Sequence, residues 1–214
     1  MYRFHARSAN ETSNDAGFTL IEVVVAIAML GILSTAALGV YLSGVNSAAT
    51  QQRRQVAIAI ANSAMEKAIA WPAGTATIGR GANAVSARWT ANDSIPGVRT
   101  TYKSFDASAP TNAVGALPVT NASGNSVNGT NYTVDILVGT CFQIKPTVGL
   151  QPGGPCTVTT GWPNQPAVPS NKTKLTRVIV VVRWTAGAGC ATGNCNYHAS
   201  TLIDSNLELD WNTP

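Results

Sequence analysis

The sequence predicts an α+β fold: one long N-terminal α-helix serving as a spine, followed by an antiparallel β-sheet head. Three observations predict it. An uninterrupted apolar run extends from Phe18 to about Val45, and Glu22 is its one side chain charged at neutral pH. Residues 46–71 then continue without Pro or Gly and with apolar residues at helical spacing. Finally, Tyr132–Ile144, where Leu137 breaks strict alternation, and Leu175–Thr185 read as β-strands, with Tyr197–Ile203 returning as a partner strand.

The chain opens with a polar leader, residues 1–17 (MYRFHARSANETSNDAG), carrying Arg3 and Arg7. Residues 18–45 exceed the roughly 20 residues a helix needs to cross a bilayer core. Lacking proline, a helix there satisfies its own backbone polar groups inside lipid. No Lys or Arg follows until Arg53, so the basic leader is expected to stay in the cytoplasm and the carboxyl side to be exported. Glu22 is the anomaly. An unpaired carboxylate in a membrane is costly, which makes it a candidate functional residue by default.

Within 46–71, Val56, Ile60, Ala64 and Ala68 fall on one stripe, with Ile58, Ala61, Met65 and Ile69 beside it. Arg53, Arg54, Asn62 and Glu66 are expected to face water. Trp71-Pro72 ends the helix, because Pro72 has no N–H and disfavours helical geometry at Trp71. Residues 72–214 make the exported head. Ala84–Thr90 and Val98–Phe105 are expected to be short strands, with a turn at Pro96-Gly97, and 107–131 is expected to be loop. Tyr132–Ile144 is a strand ending near Cys141. Residues 145–173 are expected to be a Pro/Gly-rich loop containing Trp162. In Leu175–Thr185, Val178, Val180, Val182 and Trp184 form the face assigned to the helix. Arg177, Ile179, Val181 and Arg183 form the other. Tyr197–Ile203 returns beside it, and Asn206–Trp211 is expected as a last edge piece.

All four cysteines, Cys141, Cys156, Cys190 and Cys195, lie in the C-terminal third. An even number in an exported segment predicts two disulfides. Of the three possible pairings, proximity favours Cys141–Cys156 and Cys190–Cys195. The competing metal site, Cys190, Cys195 and His198, lacks a fourth ligand. No cofactor is expected.

Composition argues against several functions. Charged residues are 11% and the net charge is +4, with no basic stripe of the kind nucleic acid requires, so no sequence-specific nucleic-acid role is expected. His198 is the single histidine beyond the leader, which leaves little material for a triad or a multi-histidine metal site. Asp204, Glu208 and Asp210 are read as solvated residues at strand ends rather than a catalytic pair. The Gly-rich pieces lack the Lys of a phosphate-binding loop. The chain is therefore not expected to be an enzyme.

The hexapeptide Gly17-Phe18-Thr19-Leu20-Ile21-Glu22, with a polar leader before it and an apolar helix after it, resembles the class III signal of type IV prepilins and pseudopilins. The resemblance implies that a membrane prepilin peptidase cuts after Gly17 and methylates Phe18. It implies a pilin-like fold, single-pass residence in the inner membrane, and assembly through Glu22 with other pilin or pseudopilin subunits on an inner-membrane platform into a fibre. Gly31 matches a common family glycine. Major pilins often carry proline where this chain has Gly39, a departure that fits minor pilins and pseudopilins. The C-terminal strands are similar to those of V-type minor pilins and I-type minor pseudopilins of type II secretion. A type IV pilus minor pilin is the leading expectation. A type II secretion pseudopilin is second, and a membrane-anchored adhesin or enzyme third.

Overall fold

A computed structural model describes residues 17–72, 74–121, 126–145, 153–159, 168–185 and 194–204. The chain divides into two compact units, residues 1–47 and 48–214.

Helix α1, Leu20–Ile69, runs for 50 residues. In the first unit its large apolar side chains are uncovered, from Leu20 at 83% exposure to Val45 at 49%. In the second unit the same helix buries Ala57, Ala61, Ala64 and Ala68. This buried stripe keeps the predicted Ala64 and Ala68 but replaces Val56 and Ile60 with two alanines. Val56, Ile60 and Met65 are partly buried and pack against the flanks of the core, while Ile69 is exposed. The alanines are small enough to be covered completely, and the larger side chains fill the space beside them. The helix ends at Ile69, two residues before the expected Trp71-Pro72 stop.

Ala84–Thr90, expected to be a strand, lies instead in a second helix, α2, Ala82–Ala91. Val85 and Trp89 are four residues apart, a spacing that suits either a strand or a helix. Ala87 decides between them: it shares a face with them in a strand but is exposed here, as helical periodicity requires. Its alanines also favour helix. Val98–Phe105 is likewise corrected. Residues 92–101 wind through successive tight turns, with Ile95, Val98 and Thr101 N–H groups bonding three residues back. The Thr100 and Thr101 hydroxyls donate to the Gly97 carbonyl and hold the winding. Only β1, Tyr102–Lys103, remains extended.

Residues 107–131, expected to be loop, contain β2 (Thr120–Asn121), β3 (Ser126–Val127) and the start of β4 (Thr130–Ile144). Asn128 and Gly129, with φ of 51° and 73°, turn β3 into β4 as a two-residue hairpin. The expected 145–173 loop contains β5, Gly153–Thr157, which pairs with β4 through an irregular register. The strands after it are β6, Lys172–Thr185, and β7, Asn194–Asp204. Trp162 and the expected piece Asn206–Trp211 lie outside the described residues.

The sheet is antiparallel in the order β1-β4-β6-β7, with β2, β3 and β5 also paired to β4. β4 and β6 pair from Tyr132↔Trp184 to Ile144↔Lys172, placing Ile136 opposite Val180. Both faces are covered. Val178, Val180, Val182 and Trp184 join the alanine stripe in one core cluster, on the face assigned to the helix. Each fully buried valine contributes roughly 1.5–3 kcal/mol of hydrophobic stabilisation. Ile179 and Val181 face the other way and pack with Val85 and Trp89 of α2. Gly139 has no room for a side chain: a Cβ there would lie 2.3 Å from the Tyr102 carbonyl oxygen and 3.0 Å from Trp89.

Candidate processing and assembly site

Gly17, Phe18 and Thr19 precede the first helical residue, Leu20. The Glu22 N–H bonds to the Thr19 carbonyl at 3.0 Å and to the Thr19 hydroxyl oxygen at 3.3 Å. Thr19 is therefore the N-cap. Thr19-Leu20-Ile21-Glu22 has the T-x-x-E spacing of a capping box. That spacing is the sequence signal for the capping role of Thr19. Glu22 sits in the first turn, where the positive end of the helix dipole favours a carboxylate. Gly17 is exposed, with nothing within 4 Å of where a Cβ would stand, and Phe18 is 82% exposed. The Gly17–Phe18 bond thus lies outside the helix and in the open.

Beyond this turn, the helix carries an 18-residue window of mean hydropathy 2.4, long and apolar enough to cross a membrane. Two of its hydroxyls bond back to the helix itself. Ser34 donates to the Leu30 carbonyl at 2.7 Å and Thr35 to the Ile32 carbonyl at 2.8 Å. Gly31, Gly39 and Gly44 have nothing packed against them within the chain. Small residues of this kind let helices approach closely in lipid.

The other sequence-predicted residues lie in the second unit. Cys141 of β4 and Cys156 of β5 form a disulfide, with Cα atoms 5.4 Å apart, buried beside Leu175. The pairing Cys190–Cys195 involves Cys190, which lies outside the described residues, and Cys195 is in β7. His198 is exposed on β7 opposite Val181. Asp204 ends β7, and Glu208 and Asp210 lie outside the described residues. Among the described residues, no group of three His, Cys, Asp or Glu side chains could hold a metal ion.

The sequence reading missed a buried polar cluster under α2. Asp135 is fully buried and pairs with Arg183 at 2.6 Å, while Arg88 approaches its other oxygen at 3.9 Å. The Asn92 side-chain amide donates to Asp135 at 3.0 Å, and Arg183 also donates to the Ala91 carbonyl at 2.9 Å and to the Asn92 side-chain oxygen. These bonds fasten the end of α2 to β4 and β6. The hint was in the sequence: Arg183 shares a strand face with Ile179 and Val181, so its charge needed a partner. Arg80 is also fully buried and donates to the Ile136 carbonyl. Burial lowers its pKa to about 10, leaving it a cation at neutral pH. Arg177 is held more openly, donating to the Thr100 and Thr101 hydroxyls and to the Cys156 carbonyl.

The family model for the prokaryotic N-terminal methylation motif matches residues 12–38. That stretch holds Gly17, Phe18, Thr19 and Glu22 and none of the head. It supports a type IV pilin-like protein. A search of curated proteins and a search of solved structures found no match.

Proposed function

We propose that this type IV pilin-like protein is a minor pilin: a structural subunit, cut between Gly17 and Phe18, that waits in the inner membrane and then joins a pilus fibre through the first half of α1. The observation that carries the reading is the first turn of α1. The matched methylation motif contains an open Gly17–Phe18 bond, and one carboxylate, Glu22, sits on an otherwise apolar and uncovered stretch of helix. Gly39, where major pilins often carry proline, favours a minor subunit.

Cleavage creates an α-amine at Phe18, a cation at neutral pH. It lies just before the Thr19 cap, at the helix end where the dipole disfavours positive charge. Glu22, one turn on, supplies the opposite charge in the same or a neighbouring subunit. In water such a pair contributes little. When a subunit leaves the hydrated membrane surface for a fibre core, removing one partner of a buried pair costs roughly 3–5 kcal/mol. That penalty is large enough to decide whether a subunit docks in register. The prepilin peptidase, the assembly platform and the other subunits are the partners this role requires.

The test is mass spectrometry of the mature chain, with fractionation of wild type and Glu22→Ala. The expected outcome is an N-methylated Phe18 terminus in both proteins. Both should insert in the membrane, and Glu22→Ala should be greatly depleted from sheared pili. An intact Met1 terminus overturns the processing step. Equal recovery of the two proteins in fibres removes Glu22 from assembly. Absence of the wild-type protein from sheared pili, with normal processing, overturns the pilus assignment.

A further inference from the structure

The second unit contains an apolar trough of about 490 Å³. This falls within the range of roughly 300–1,000 Å³ typical of small-molecule sites, which are mostly apolar with a few placed polar groups. One wall is a single face of α1 from Val56 through Ile60 and Ala64 to Lys67, so the trough follows the helix for roughly 16 Å at 1.5 Å per residue. The other side is built by Leu117, Val134 and Ile136, all of them core residues. Its polar lining among the described residues is Ser63, Asn121 and Lys67. Lys67 is the one ionisable side chain in that lining. It is exposed at one end of the row of α1 residues and makes no ion pair among the described residues.

A long apolar channel with one cation at its end selects for shape and charge together. A peptide strand laid in it would bring a backbone N–H and C=O at every residue, and these require partners that a mostly apolar lining supplies poorly. A hydrocarbon chain brings none. A neutral chain would fill the trough but leave Lys67 without a counter-charge. We propose that the trough binds one long-chain fatty acid, its tail along α1 over Leu117, Val134 and Ile136 and its carboxylate on the Lys67 ammonium. This site is independent of the processing and assembly role of the first turn.

The test uses the full chain in lipid nanodiscs with a diazirine-bearing palmitic acid, followed by irradiation and peptide mapping. Saturable labelling is expected in residues 56–67 and 117–121. Lys67→Ala should weaken it about tenfold, the scale of one lost charge-assisted contact, and Lys67→Arg should restore it. Ile60→Trp, which fills the trough, should abolish labelling there. Lys67→Ala and Lys67→Arg change an exposed side chain, so they keep the test intact if Ile60→Trp disturbs the fold. Labelling confined to residues 18–45 overturns the proposal. So does labelling indifferent to Lys67, or equal labelling by the corresponding long-chain alcohol. Cross-links between two copies through residues 56–67, in place of lipid labelling, would assign the trough to a subunit contact and overturn it as well.

Discussion

The two halves of α1 share one backbone geometry and differ in what their apolar residues meet. From Leu20 to Val45 the large side chains are uncovered, and the glycines have open space around them. From Ala57 to Ala68 a stripe of four alanines is buried under a sheet face of Val178, Val180 and Val182. Hydropathy is thus not what separates buried from exposed residues in this helix. The more apolar half is the bare one, and the half with charged residues between its alanines is the covered one. A helix whose apolar face is covered within its own chain contributes to the stability of that chain. A helix apolar all round and covered by nothing needs lipid or other helices. Stability of the head thus rests on one stretch of α1, and the assembly role proposed for this protein falls on the other. Substitutions should therefore separate them.

The largest expected effect lies in the sheet that covers the second half. Asp135→Ala leaves Arg183 without its carboxylate and removes one of the two acceptors of the Asn92 amide, the Arg88 carbonyl being the other. It should destabilise the head by about 3 kcal/mol, the low end for an opened buried pair, because Arg183 keeps some solvent and other acceptors. Chemical denaturation followed by tryptophan fluorescence measures it, and membrane insertion should be unchanged. A loss below 0.5 kcal/mol would mean that the cluster does not fasten α2 to the sheet.

A matched pair of substitutions tests the two halves directly. Ala61→Phe forces a large ring into a fully buried position and should cost roughly 1–3 kcal/mol of head stability. Ala26→Phe, in the uncovered half, should leave the denaturation midpoint of the head unchanged. Equal shifts in the two variants would break the comparison.

The smallest effect is a pH dependence at the head surface. The Ser108 hydroxyl first, then the Gly79 and Ser108 N–H groups, hold the Asp106 carboxyl below its ordinary value. A carboxylate depressed in the folded state adds stability that is present above its unfolded pKa of 3.8 and is lost as pH falls through the lower folded value. Between pH 5 and pH 2 the melting temperature should fall slightly more in wild type than in Asp106→Asn. Parallel curves would show that the Asp106 bonds add nothing.

Where an element carries a long one-period pattern, its type was legible before any coordinates. Val178, Val180, Val182 and Trp184 alternate over enough residues to name their face, and that face does meet the helix. Short elements offered less. β2 and β3 are two residues each, too short for any period, and Asn128-Gly129 was the one local signal of the hairpin. Val85 and Trp89 fit both periods, so α2 was mistaken for a strand. β5 was hidden because Pro155 and Gly154 read as loop, although proline is tolerated on a strand at a sheet's edge.

By itself the sequence determined the uncovered apolar helix, the motif at its start, the position of Glu22, the return of β7 beside β6 and the Cys141–Cys156 bridge. These depend on residues near one another in the chain, where periodicity and spacing act directly. The tertiary structure alone decided that alanines form the buried stripe of the second half of α1, that Asp135 gathers Asn92 and Arg183, and that a trough opens between Lys67 and Leu117. Each depends on residues more than 40 positions apart. No local pattern encodes such meetings, because the choice among candidate partners is made by the packing of the whole core.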